Sequence, residues 1–132
     1  MCRTNRQSNF VLIKFVSTKV KGVYMPHYMI KGSYNAEGAK ALMAEGGTAR
    51  LEQAKGLIES LGGTLESMYF VWGTDDIVGF CEMPDDATAA AATMAVSSSG
   101  TVSVSIIPLL TPGDIDAAAE KVKGAAYRAP GS

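Results

Sequence analysis

Histidine occurs once in the 132-residue chain, as His27, and cysteine twice, as Cys2 and Cys81. Two cysteines cannot frame a disulfide scaffold or a thiolate metal site, and a single imidazole excludes a histidine-based metal centre unless carboxylates supply most of the ligands. Long apolar runs are missing too. The longest predominantly apolar stretches, Phe10–Ile13 and Ser105–Leu110, fall far short of the roughly 20 residues that cross a bilayer. Nor is there an excess of one charge: 12 basic residues meet 13 acidic ones, for a net charge of −1. Nucleic-acid grooves carry a marked basic excess, so that class of partner is not expected. What is present, 47% hydrophobic and 19% charged residues, suits one globular domain. The expectation is a cytoplasmic protein with free thiols, no cofactor, no metal, no nucleic acid and no membrane partner.

The near-zero charge averages two unlike pieces. Residues 1–24 hold Arg3, Arg6, Lys14, Lys19 and Lys21 without an acid, whereas residues 25–132 hold 7 basic and all 13 acidic residues and so carry −6. A secretory signal does not fit the first piece, because Lys14 splits Phe10–Val16 and no small-residue cleavage pattern follows. A transit peptide suits the composition, yet the apolar runs read as strand more than as amphipathic helix. The third reading is an appended basic extension, disordered or arising from a start upstream of Met25. On that division residues 25–123 form the working domain and residues 124–132, with Gly124, Pro130 and Gly131, a flexible tail.

From His27 the pattern is regular. Tyr28, Ile30, Gly32 and Tyr34 alternate with His27, Met29, Lys31 and Ser33, as in a strand. Asn35 caps a first helix that Gly46-Gly47 stops, and Thr48 offers a cap for a second, whose Leu51, Ala54, Ile58 and Leu61 make one apolar stripe ending at Gly62-Gly63. Thr64–Trp72 reads as a strand with Leu65, Ser67, Tyr69 and Val71 on one face and Glu66, Met68, Phe70 and Trp72 on the other. Gly73-Thr74-Asp75 turns the chain into an antiparallel partner, Asp76–Met83. Pro84-Asp85-Asp86 opens an alanine-rich helix ending at Ser97–Gly100, Thr101–Pro108 is a fourth strand, and Thr111-Pro112-Gly113-Asp114 caps a last amphipathic helix.

This order predicts an α+β fold of the ferredoxin-like, split β-α-β kind, with a four-stranded antiparallel sheet and helices on one face. Its strands carry apolar groups on both sides, so the other face would expose a sticky patch unless a second copy covered it. A homodimer paired through that face is therefore expected.

A family resemblance rests on Met25-Pro26-His27-Tyr28, Gly32-Ser33-Tyr34-Asn35-Ala36-Glu37-Gly38, Gly46-Gly47-Thr48-Ala49-Arg50, Leu61-Gly62-Gly63, Tyr69-Phe70, Gly73 with Asp76, Pro84-Asp85, Ser97–Gly100 and Leu109-Leu110-Thr111-Pro112. Together these resemble the GYD-domain family of small bacterial and archaeal proteins, in one register over about residues 25–120. The resemblance implies a ferredoxin-like chain that pairs into a dimeric α/β barrel, in a family without an established activity. One departure stands out: Asp75 occupies the place where the family has the tyrosine of its naming motif, before Asp76.

Each candidate for chemistry has an ordinary alternative. His27 has the intrinsic pKa of a general base and equally reads as a histidine at the sheet rim. Asp75-Asp76 and Asp85-Asp86 suggest paired carboxylates or a cation site, or else a turn and a helix cap. Cys81 reads as a small core residue. Gly46-Gly47-Thr48-x-Arg50 offers backbone amides, a hydroxyl and a guanidinium fork that suit a carboxylate or phosphate, or it simply makes a helix–helix corner. Tyr34, Tyr69, Phe70 and Trp72, with Ser33, Ser67, Ser103 and Ser105, suit the lining of a mixed cavity between the sheet and a partner, or else ordinary core and interface packing. The candidate ligand-binding residues are thus Tyr34, Thr48, Arg50, Tyr69, Trp72 and Asp76, with no catalytic residue assigned. Two functions compete: a small-molecule binding protein or cofactor-independent enzyme on a small organic substrate, and a non-catalytic assembly or regulatory module. The first requires a solvent-reachable cavity of a few hundred Å³, about 300 or more, and the second a space filled with side chains.

Overall fold

Alternation with period two sets the first strand, β1 (His27–Tyr34): Tyr28 and Gly32 are buried on one face with Ile30 between them, and Met29 and Lys31 turn to the opposite face. Asn35 ends it and caps α1 (Ala36–Glu45), its side-chain oxygen accepting from Gly38 N at 2.9 Å. Gly46, at φ 95°, closes α1 and opens α2 (Gly47–Ser60), its own amide returning to Leu42 O at 2.7 Å. Only glycine enters that region of backbone space without cost, which lets the chain turn between two helices in a single residue. The cap of α2 is therefore Gly46 and not Thr48, which lies exposed inside the first turn with no capping hydrogen bond. β2 (Thr64–Phe70) and β3 (Ile77–Glu82) form a hairpin, followed by α3 (Asp86–Ser97), β4 (Val102–Pro108) and α4 (Pro112–Val122). Asp85 caps α3, accepting from Thr88 N and Oγ1 at 2.8 and 2.7 Å, and these bonds hold its carboxyl below the ordinary range. Thr111 and Asp114 cap α4 reciprocally.

The computed structural model describes residues 24–132. The basic extension expected over residues 1–24, apart from Tyr24, and Cys2 lie outside the described residues. Residues 124–132 contain no helix or strand.

The four strands make one antiparallel sheet in the order β2-β3-β1-β4, which is the ferredoxin-like arrangement read from the sequence. Its inner face packs on the helices through Tyr28, Ile58, Cys81, Met83, Ala89 and Ala92. Alanines at the α3 contact let that helix approach the sheet closely. Tyr28 is 1% exposed and donates its hydroxyl to Asp86 Oδ1 at 2.5 Å, tying β1 to the start of α3.

Two features depart from the pattern. The strand expected over Thr64–Trp72 ends at Phe70, and a β-bulge lies between Leu65, which pairs with Cys81, and Ser67, which pairs with Phe80. The extra residue, Glu66, shifts the alternation, so Leu65 and Met68 face the helices together while Ser67 and Tyr69 share the outer face. Strict alternation had placed Leu65 with Ser67 and Tyr69. The second departure is α4, in which no residue is buried, so it adds nothing to the helical layer. The outer face carries Met29, Tyr69, Val78, Phe80 and Ile107, with Tyr69 65% exposed.

Candidate functional site

A cavity of about 330 Å³ lies between the inner face of the sheet and the helices. Its floor is aliphatic, from Ile30, Leu65, Ile77, Val104 and Ile106. The apolar stripe of α2 supplies Ala54, Leu57 and Ile58, and α3 supplies Ala92, Thr93 and Val96. The void follows from residue size: where α2 and α3 present Ala54 and Ala92, larger side chains would close the space. An apolar cavity of about 150 Å³ accepts benzene, so this one has room for roughly a dozen non-hydrogen atoms.

Polar groups are few. Tyr34, Arg50 and Gln53 contribute to the lining, as do Ser99 and Thr101. The hydroxyls of Ser99 and Thr101 face one another at 3.1 Å, and Thr93 Oγ1 donates to Ala89 O at 3.2 Å. The Tyr34 hydroxyl, by contrast, is buried without a hydrogen-bond partner. Leaving such a group unpaired costs about 1–3 kcal/mol, which marks it for a partner that arrives from outside the fold. Burial pushes its phenol up, with the Arg50 guanidinium opposing, so at neutral pH it is a donor. Arg50 keeps an ion pair with Glu45 at 3.7 Å across the α1–α2 corner. The cavity thus offers an apolar body with a phenol and a guanidinium as its recognition groups, suited to the anionic head of a small amphiphile.

Of the six residues singled out in the sequence, Tyr34 and Arg50 line this cavity, which lies between the sheet and the helices of the single chain and opens to solvent. The other four lie elsewhere. Thr48 is exposed on α2, Tyr69 stands on the outer face, and Trp72, 79% exposed, is in the β2–β3 connection. Asp76 anchors strand ends: its carboxylate accepts from Tyr34 N at 2.9 Å, and its amide donates to Gly32 O at 2.8 Å. Its neighbour Asp75 pairs with Lys31 at 3.4 Å. Cys81 is fully buried, and desolvation pushes its thiol up to about 11, which makes it a poor nucleophile.

Sequence reasoning missed Ala54 and Ala92, because a small residue signals a void only when its neighbours in space are known. It also missed the surroundings of His27. Nδ1 and Nε2 lie 3.3 Å from carboxylate oxygens of Glu66 and Glu82 respectively. The one available signal was Glu82, a charged residue at the end of an otherwise apolar strand.

No helix among the described residues is long and apolar enough to cross a membrane. Neither a curated protein nor a solved structure matches the chain. The family model for the GYD domain does match, over residues 28–119, a span that runs from the second residue of β1 into α4 and takes in the whole sheet and every helix around the cavity; the chain belongs to the GYD domain family.

Proposed function

We propose that this protein binds a small organic acid, apolar in its body and anionic at one end, in the cavity between sheet and helices. The observation that carries the reading is the unpartnered Tyr34 hydroxyl in a cavity that Arg50 also lines. Among the described residues the lining includes no carboxylate, imidazole or thiol, which favours binding over general-base or nucleophilic catalysis. An assembly module would have no use for the void. A thermal-shift screen of aromatic and aliphatic monocarboxylates of roughly a dozen non-hydrogen atoms is the direct test. A ligand at 100 times its dissociation constant raises stability by about 2.7 kcal/mol. For the acids found, Arg50→Ala is expected to weaken binding about 10- to 100-fold, the value of one charge-assisted hydrogen bond. Unchanged affinity in that variant would rule out the carboxylate assignment.

The reading includes a homodimer in a cytoplasmic setting. Support for a second copy comes from Met29, Val78 and Phe80 side by side on the outer face with the exposed Tyr69 and Ile107. A buried free thiol at Cys81 supports the cytoplasm. Light scattering should give a mass near twice 13.8 kDa, and the Tyr69→Lys, Ile107→Lys double variant a mass near that of one chain. A monomeric parent, or a dimer indifferent to both charges, excludes this face as the interface.

A further inference from the structure

We propose that His27, Glu66 and Glu82 bind one divalent transition-metal cation on the outer face of the sheet, opposite the cavity. Three separate strands build the cluster. His27 opens β1 and sits directly across from Glu82, the last residue of β3, so their side chains share a face. Glu66 is the extra residue of the β2 bulge, the device that brings a third donor to this corner. One donor atom from each residue lies within 4.8 Å of the others. Imidazole nitrogen and carboxylate oxygen keep roughly 2.0–2.2 Å from zinc, so with the ion on one ring nitrogen the carboxylate now at the other nitrogen must swing round to complete the set.

Two observations point to a cation here. Glu82 is only 6% exposed, and its Oε1 is buried with no hydrogen-bond partner. A buried carboxylate is costly unless it is paired and its lone pairs are used. Among the described residues, the ion pairs of lysine and arginine go to Asp75, Glu45 and Glu120, and none to Glu66 or Glu82. The imidazole cannot satisfy both neighbours either. In its neutral form it has one N–H, yet each of its nitrogens faces a different carboxylate at 3.3 Å. A divalent cation resolves both shortages, since it cancels the two negative charges and takes up the spare lone pairs of Glu82. One nitrogen with two carboxylates and no thiolate suits zinc, manganese(II) or iron(II) and disfavours copper(I). Three protein donors also leave coordination positions for water or a ligand.

The sole histidine makes the test specific. In a proton NMR spectrum of the untagged, chelator-treated full chain, one equivalent of manganese(II) should broaden the His27 imidazole signals, and zinc should shift them. Calorimetry with zinc should give one ion per chain. Glu66→Gln, at a partly exposed position that the core does not depend on, should weaken zinc binding at least tenfold, and His27→Ala should abolish it. The site is disproved if the imidazole signals ignore one equivalent of either ion, as they would if the cluster were an imidazolium held between two carboxylates. It is equally disproved if both variants bind zinc as the parent does.

Discussion

Replacing Gly38 with alanine is expected to destabilise the fold by about 3 kcal/mol, at the upper end of what overpacking costs, and to lower the melting temperature by roughly 10–20 °C. Helix propensity alone gives the opposite sign, since alanine gains about 0.5–1 kcal/mol over glycine inside a helix. Contact decides the outcome. A Cβ on Gly38 would run into the carbonyl oxygen of Thr101 and come within 2.9 Å of the Tyr34 ring. That carbonyl also accepts from Asn35 N at 3.1 Å, while Asn35 Nδ2 donates to Gly100 O at 2.6 Å. To relieve the clash, the start of α1 must move away from the α3–β4 connection, breaking these bonds together with the Asn35 cap. Gly56 is the control: it lies in α2 with nothing within 4 Å of its would-be Cβ. There alanine should stabilise by about 0.5–1 kcal/mol. Urea unfolding of both variants checks the pair, and a Gly38→Ala protein as stable as its parent would mean that α1 does not dock on Thr101.

The asymmetry between the two glycines also separates what the sequence made legible from what it hid. Local physics is written locally. The bounds of β1 follow from alternation between His27 and Tyr34, and the caps at Asn35, Asp85 and Thr111 act on amides three residues away. The strand order followed as well, because few topologies connect these elements. Non-local features were hidden. The bulge at Glu66 exists only relative to β3, and nothing between Thr64 and Phe70 announces that alternation will slip. Thr48 looked like a cap because its residue type is right, but Gly46 had already turned the chain two residues earlier. Tyr34 and Arg50 were legible as candidates because an aromatic near a sheet and an arginine after paired glycines are visible in one dimension. Where they meet was not, since the cavity depends on the sizes of residues on six elements at once. His27 read as a rim histidine for the same reason: its two carboxylates come from β2 and β3.

Filling the cavity should separate binding from folding more sharply than removing its polar groups. Ala54→Phe adds one phenyl ring to the α2 wall, and a cavity that accommodates such a ring measures about 150 Å³, close to half of the space of about 330 Å³. Ala54 is only partly buried, so the helix can admit the larger residue without displacing core side chains such as Ile58 or Ala92. The ring gains apolar burial worth about 2 kcal/mol against an overpacking cost of similar size, so stability should stay within about 1 kcal/mol of the parent. Affinity for carboxylates of roughly a dozen non-hydrogen atoms should fall at least 100-fold, about 2.7 kcal/mol, because the space left beside the new ring holds little more than a single ring. Xenon offers a probe that needs no knowledge of the natural ligand, since it enters dry apolar cavities. It should perturb the NMR signals of Ile30, Leu57 and Val104 in the parent and shift them less in Ala54→Phe. If Ala54→Phe folds, shows the weaker xenon response and still binds the larger acids as the parent does, they bind elsewhere on the protein, and Tyr34 and Arg50 lose their assignment. If it folds and both responses fall, the void is the binding site, and its volume limits which acids are taken.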